Sequence, residues 1–317
     1  MRSPTKRRIA AFILGTLFGT LIARLKSLES YVRIPESPIV ISDELATSIH
    51  SLSTIHINRV GLPRVLCYVN TFPGHYEKKA IHVLNTWGRK CTKIVFTSTK
   101  PHPRLPVLEL DLHVPEVREH LWIKMRLILR TVYSQFGSYD YFYKCDDDTY
   151  TVAENLYTIL QMHSPRDAFM TGYRWPLRVP YGYFSGGAGY VLSHESFRRI
   201  VQYAIDRHPD CPTTDEAMED VKMSICGHAV GVTNVDTIDS YGQSLFCPYS
   251  VGGFFSIYPD SKNVTDSSWP FVRREKMGLS DYQITFHYMG PTMMYIVEFL
   301  AYHVRPVGIE LRPLECS

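Results

Sequence analysis

From residue 64 onward, short apolar runs alternate with segments whose apolar residues recur at helical spacing. Residues 65–69 (Val-Leu-Cys-Tyr-Val), 93–97 and 107–110 predict strands, with a helical segment over residues 75–87 between the first two. A longer helix is predicted over residues 117–136, because Leu121, Met125, Ile128, Leu129 and Val132 fall on one helical face. A strand at 141–145 and a helix at 152–162 follow. Ser193 precedes a helix reaching about Ala204 and has the chemistry of an N-cap. This alternation predicts an α/β sheet covered on both faces. From Cys247 the periodicity weakens, predicting irregular structure that ends in a helix near residues 292–304.

A length of 317 residues allows one large or two small domains, and 45% apolar with 21% charged residues is ordinary for a globular chain. The net charge of +3 is too small to argue for nucleic acid, and part of it sits in Arg2, Lys6, Arg7 and Arg8. An uncharged run over residues 9–23 follows, before Arg24 and Lys26. It is shorter than the roughly 17 residues of a minimal span, although flanking basic side chains can snorkel and extend it. A cleaved signal peptide and a buried helix are the competing readings. No small-x-small cleavage site follows Ala23, and a core helix rarely sits directly behind a basic tail, so a signal anchor over residues 9–25 fits best. The basic residues then keep residues 1–8 cytosolic, with a stem over 26–61 and a luminal domain over 62–317. Seven cysteines agree with an oxidising compartment, and their odd number leaves at least one thiol outside an intramolecular pair. Asn263-Val264-Thr265 is an N-glycosylation pattern if the domain is luminal.

The strand at 141–145 runs into Asp146-Asp147-Asp148. Three adjacent anions repel one another unless a cation neutralises them, and hard divalent ions take carboxylate oxygens. On extended backbone, Asp146 and Asp148 point the same way and can share one ion while Asp147 faces elsewhere. Gly186, Gly187 and Gly189 precede an apolar strand, where absent side chains let a backbone approach a ligand. Glu219-Asp220 opens an amphipathic segment, and one of the two can serve as a general base. His287 adds an imidazole that can complete a metal shell. Each feature alone also has a structural explanation: an acidic turn, a tight turn, a helix start, a structural histidine. Trp175, Tyr183 and Trp269 are candidate sugar-stacking aromatics.

Together these residues resemble one family. Trp87-Gly88, the strand ending in Asp146-Asp147-Asp148-Thr149-Tyr150, the stretch 185–193 and Glu219-Asp220-Val221 match the inverting β1,3-glycosyltransferases in kind and order. Glu77-Lys78-Lys79-Ala80, Phe286-His287-Tyr288 and the stretch 293–306 are similar to the core 1 galactosyltransferases, which act on glycoprotein N-acetylgalactosamine. The resemblance implies a GT-A fold, UDP-galactose as donor, manganese, and a type II Golgi membrane protein. It implies that Asp146, Asp148 and His287 hold the metal, and that Asp220 deprotonates the acceptor hydroxyl. It also places Trp87, Gly186 and Gly187, with the two aspartates, at the donor. The acceptor would be O-linked N-acetylgalactosamine on a glycoprotein. The resemblance supports Cys67–Cys91 and Cys211–Cys226 pairings. A second copy of the chain or a folding chaperone is the further expected partner. The chain departs from the family at Ser224, where a glycine is common, and at Gly278-Leu279, where a Cys-Cys pair is common. A non-catalytic chaperone-like paralogue and a fringe-like N-acetylglucosaminyl transfer are the alternatives.

Overall fold

The structure is a computed structural model that describes residues 61–257 and 279–304. The expected anchor, the stem up to residue 60, Asn263, Trp269 and Cys316 lie outside the described residues. Among the described residues, no helix is long and apolar enough to cross a membrane.

Seven strands form a mixed central sheet. In chain order they are β1 (Val65–Asn70), β2 (Lys93–Ser98), β3 (Val107–Glu109), β4 (Tyr141–Asp146), β6 (Phe169–Gly172), β9 (Tyr190–Ser193) and β10 (Thr233–Asp236). Their spatial order is β10-β6-β9-β4-β1-β2-β3. β4, β1, β2 and β3 run parallel, and β9 is antiparallel to both β4 and β6. The strands alternate between two cores, as the period-2 geometry requires. Val65, Cys67, Val69, Tyr141, Tyr143 and Cys145 join one cluster. Leu66, Tyr68 and Phe142 join the other.

Each core is closed by helices. The irregular helical stretch over residues 73–90, with α1 (Ile81–Asn85) at its centre, covers the first face. α3 (Ala153–Gln161) covers the same face through Leu156, Tyr157 and Leu160. On the opposite face lies α2 (Leu121–Phe136), which buries Trp122, Met125, Ile128, Leu129 and Val132. α4 (His194–Arg199) adds Phe197, whose ring stacks on Phe142 at 3.9 Å. Ser193 caps α4 as its chemistry predicts, its side chain accepting from the Ser196 amide. Both cysteine pairings are formed, Cys67–Cys91 and Cys211–Cys226. Cys145 and Cys247 are buried free thiols.

Small pairings shape the rim. β7 (Arg174–Trp175) pairs with β8 (Tyr183–Phe184). β12 (Thr285–Phe286) lies between β5 (Tyr150–Thr151) and β11 (Phe246–Cys247). After Cys247 the described residues hold α6 (Val251–Ile257) and the expected helix near residues 292–304, α7 (Pro291–Tyr302), while residues 258–278 lie outside the described residues.

Candidate active site

In the parallel register of β1 and β4, Asn70 stands opposite Asp146, so both strands release their chains at the same carboxyl edge. Ligand sites of α/β sheets lie at such edges. A cleft of about 570 Å³ opens there, a volume within the range of small-molecule sites. Asp146, Asp148, Gly186, Gly187, Asp220 and His287 all line it.

β4 ends at Asp146 and Asp147-Asp148 form a turn rather than extended chain, closed by the Thr149 amide donating to the Asp146 carbonyl at 3.1 Å, and the three carboxylates diverge across it. Asp147 turns inward and is 5% exposed. Its Oδ2 accepts from the Thr71 hydroxyl at 2.7 Å and meets His75 Nδ1 at 2.9 Å. Burial raises its carboxyl above the usual range, against the pull of Thr71, His75 and Lys79. Asp148 behaves oppositely: burial is outweighed by His287 and Lys79, which hold its carboxyl well below the usual range. Lys79 Nζ lies 2.9 Å from Asp148 Oδ2 and 3.7 Å from Asp147 Oδ1.

His287 reaches the cluster from 139 residues further along the chain than Asp148, by way of strand pairing. β12 ends beside β5, which begins two residues after Asp148, and the Met289 amide donates to the Asp148 carbonyl at 2.8 Å. Nε2 of His287 lies 3.3 Å from Asp148 Oδ1. One ligand atom each from Asp146, Asp148 and His287 falls within 4.8 Å of the others. Two carboxylates and an imidazole are a donor set that can hold a divalent metal ion. Nδ1 of His287 is buried without a hydrogen-bond partner among the described residues, so the ring retains an uncommitted ligand atom. The donor set therefore fits a metal. Tyr288 stacks on the imidazole at 3.7 Å, is 65% exposed, and sits at φ +53°, a left-handed value that costs a tyrosine energy.

Across the cleft, α5 (Glu219–Ala229) begins with the acidic pair. Glu219 is 3% exposed and faces inward, to Lys144 Nζ at 2.7 Å and the Tyr190 hydroxyl at 3.1 Å. Asp220 is half-buried at the cleft wall; its Oδ2 accepts from the Gly186 amide at 3.1 Å and its Oδ1 from the Val221 amide at 2.9 Å. Glu219 is spent on the interior and Asp220 is the member of the pair placed to meet a ligand.

The sequence-predicted site residues come together with one correction. Trp87 does not touch the cleft: it is fully buried, and its indole donates to the Thr149 carbonyl at 2.9 Å. A large apolar ring with one donor is best satisfied in the core beside a single acceptor, and here it props the backbone that follows Asp148. Trp175 and Tyr183 do line the cleft. At Ser224 the hydroxyl accepts from the Phe184 amide at 3.4 Å, a contact that the family's glycine cannot make. Sequence reasoning missed Lys144, a charge inside the apolar run of β4. It also missed the role of Lys79 at Asp148, although Lys79 stood in a stretch singled out for its resemblance. The paired residues Phe72 and His75, whose rings lie tilted at 45° with centroids 4.0 Å apart on the cleft wall, carry no sequence signal.

The pattern of the Fringe-like family matches residues 62–245. The chain belongs to that family. Within this Fringe-like span lie Asp146, Asp148, the glycine-rich turn and Asp220, whereas His287 lies beyond it. Glycoprotein-N-acetylgalactosamine 3-beta-galactosyltransferase 1 of Xenopus laevis is 32% identical over 254 residues, 78% of this chain and 69% of that protein. Two solved structures are more distant. A glycosyltransferase involved in glycosylation of the major capsid of PBCV-1 aligns with a TM-score of 0.43 and 11% identity, over 75% of this chain and all of that one. The galactosyltransferase LgtC, in complex with donor and acceptor sugar analogs, aligns at 0.40 and 11%, over 77% and 98%.

Proposed function

We propose that this Fringe-like chain is a metal-dependent inverting glycosyltransferase of GT-A type that moves galactose from UDP-galactose to the 3-hydroxyl of N-acetylgalactosamine on Ser or Thr of glycoproteins. The observation that carries the reading is the convergence of Asp146, Asp148 and His287 with Asp220 on one cleft. The 32% identity to a galactosyltransferase named for that acceptor supports the choice of sugars.

Asp146, Asp148 and His287 would hold a manganese ion. Bound there, it would supply Lewis-acid stabilisation of the charge developing on the departing UDP. Asp220 would take the proton from the acceptor hydroxyl as that oxygen attacks the anomeric carbon, its orientation fixed by the Gly186 amide. Attack opposite the leaving group turns an α-linked donor into a β-linked product in one displacement. Gly186 and Gly187 line the cleft with backbone, and their missing side chains leave room for Lys144, Glu219 and His287 behind it. Trp175 and Tyr183 supply aromatic surface where an acceptor sugar can rest. The two disulfides and the basic and apolar N-terminus support placement in the Golgi lumen on a single type II anchor. Pairing with a second copy or with a chaperone belongs to the same proposal.

The test is transfer from a panel of labelled UDP-sugars, with manganese, to an N-acetylgalactosamine glycopeptide and to a fucosyl acceptor. Galactose on the glycopeptide is the expected product. N-acetylglucosamine on fucose would replace the reading with the fringe-like one, and no transfer from any donor would favour a chaperone-like role.

A further inference from the structure

Lys144 carries its ammonium inside the protein, with the residue only 1% exposed. Its Nζ donates to Asp146 Oδ1 at 2.9 Å, to the Gly186 carbonyl at 3.1 Å and to Glu219 Oε1 at 2.7 Å. An ammonium has three N–H donors, and these three acceptors use them all. The three acceptors come from three separate parts of the cleft: the end of β4, the glycine-rich turn and the first residue of α5.

The contacts continue beyond Lys144. Gly186 spends its carbonyl on Lys144 and its amide on Asp220 Oδ2. An unbroken path of hydrogen bonds therefore runs from Asp146 through Lys144 and Gly186 to Asp220. A second path runs through Glu219, the backbone neighbour of Asp220, whose other oxygen is fixed by Tyr190. Two sequence features permit this meeting. Residues 144 and 146 share one side of an extended strand, so the lysine travels with the aspartate. Gly186 leaves room beneath the turn, where a Cβ would stand 2.5 Å from Glu219 Oε1 and 3.0 Å from Lys144 Nζ.

We infer that Lys144 is a positioning residue that fixes the metal carboxylate Asp146 and the base Asp220 as one unit, with Glu219 as its buried counter-anion. The inference rests on the metal-dependent reading of the cleft. With Oδ1 committed to Lys144, the Asp146 carboxylate is held in a set orientation in which it would ligate an ion. Such outer partners of metal ligands govern affinity as well as geometry. Stability alone is a weak reason for the arrangement, because a buried ion pair can often be replaced by neutral side chains without loss.

Manganese binding to the full-length protein would be measured by titration calorimetry, with turnover in parallel, for wild type, Lys144→Met and the double variant Lys144→Met/Glu219→Gln. The single variant leaves Glu219 buried without its cation and is expected to lose stability. Removing both charges together keeps the double variant folded. In that variant the manganese Kd is expected to rise about tenfold or more, with turnover reduced even at saturating metal. A folded double variant with wild-type Kd and turnover would overturn the inference. So would a double variant that fails to fold, since the pair would then serve stability. Wild-type protein that binds no manganese would overturn both the inference and the metal-dependent reading, whereas an unchanged variant beside a binding wild type overturns the inference alone.

Discussion

Gly187 lies against the imidazole of His287 so closely that a Cβ built on it would stand 1.9 Å from the ring's Cε1. The glycine is thus a condition for the histidine to reach Asp148, and two segments 100 residues apart in sequence are specified together. Gly187→Ala is expected to displace His287 while leaving the two cores intact. Manganese affinity should fall by about 10–100-fold, read as the metal concentration needed for half-maximal turnover. An alanine variant with wild-type metal dependence would show that His287 is not a ligand.

Asp148 is held ionised by His287 and Lys79 although it is largely buried. Asp148→Asn removes a ligand charge without changing volume. Turnover is expected to drop at least about a hundredfold, equivalent to about 2.7 kcal/mol in the barrier, with near-native circular dichroism. Excess chelator should abolish wild-type turnover and added manganese should restore it.

The Cys211–Cys226 disulfide ties the segment before α5 to the helix that carries Asp220. It closes a loop with a sequence separation of 15, and the chain-entropy relation gives about 3 kcal/mol for a loop of that size. Replacing both cysteines with serine should lower the urea midpoint by the corresponding amount, measured beside wild type without reductant.

Much of the fold was legible because burial wrote it into local patterns. β1, β2 and β4 read as strands from continuous apolar runs, and Ser193 announced its helix by cap chemistry. β10 did not: Thr233 and Asp236 are exposed and no apolar alternation marks the strand, which is set by pairing with β6. The two-residue strands β5, β11 and β12 are likewise fixed by partners far away in sequence, yet they are what deliver His287. In the site, Asp146, Asp148 and Asp220 stood out because clustered charge demands a cation or a helix start. Lys144 was hidden because its partners, Gly186 and Glu219, are 42 and 75 residues distant. Trp87 was misplaced at the donor because sequence order cannot separate a residue that touches a ligand from one that supports the loop beside it.

The C-terminal helix α7 is locked to the same loop through Glu298, which is 3% exposed. Its Oε1 accepts from Lys90 Nζ at 2.7 Å and its Oε2 from the Tyr150 hydroxyl at 2.7 Å. Lys90 Nζ also sits 3.1 Å from the centre of the Tyr302 ring. Glu298→Ala leaves the buried Tyr150 hydroxyl without its acceptor and the partly exposed Lys90 without its carboxylate, which costs about 1–3 kcal/mol. Glu298→Gln, which keeps the Tyr150 contact, should cost less. Urea unfolding of the two variants checks both the size and the order.

The central claim is that the cleft divides its labour, with the Asp146, Asp148 and His287 cluster holding the donor and Asp220 activating the acceptor. The most direct test is to measure UDP-galactose affinity and turnover together in Asp220→Asn, in manganese. Donor affinity within about twofold of wild type with turnover down about 10²–10⁴-fold is the predicted result. Normal turnover in that variant would contradict the account.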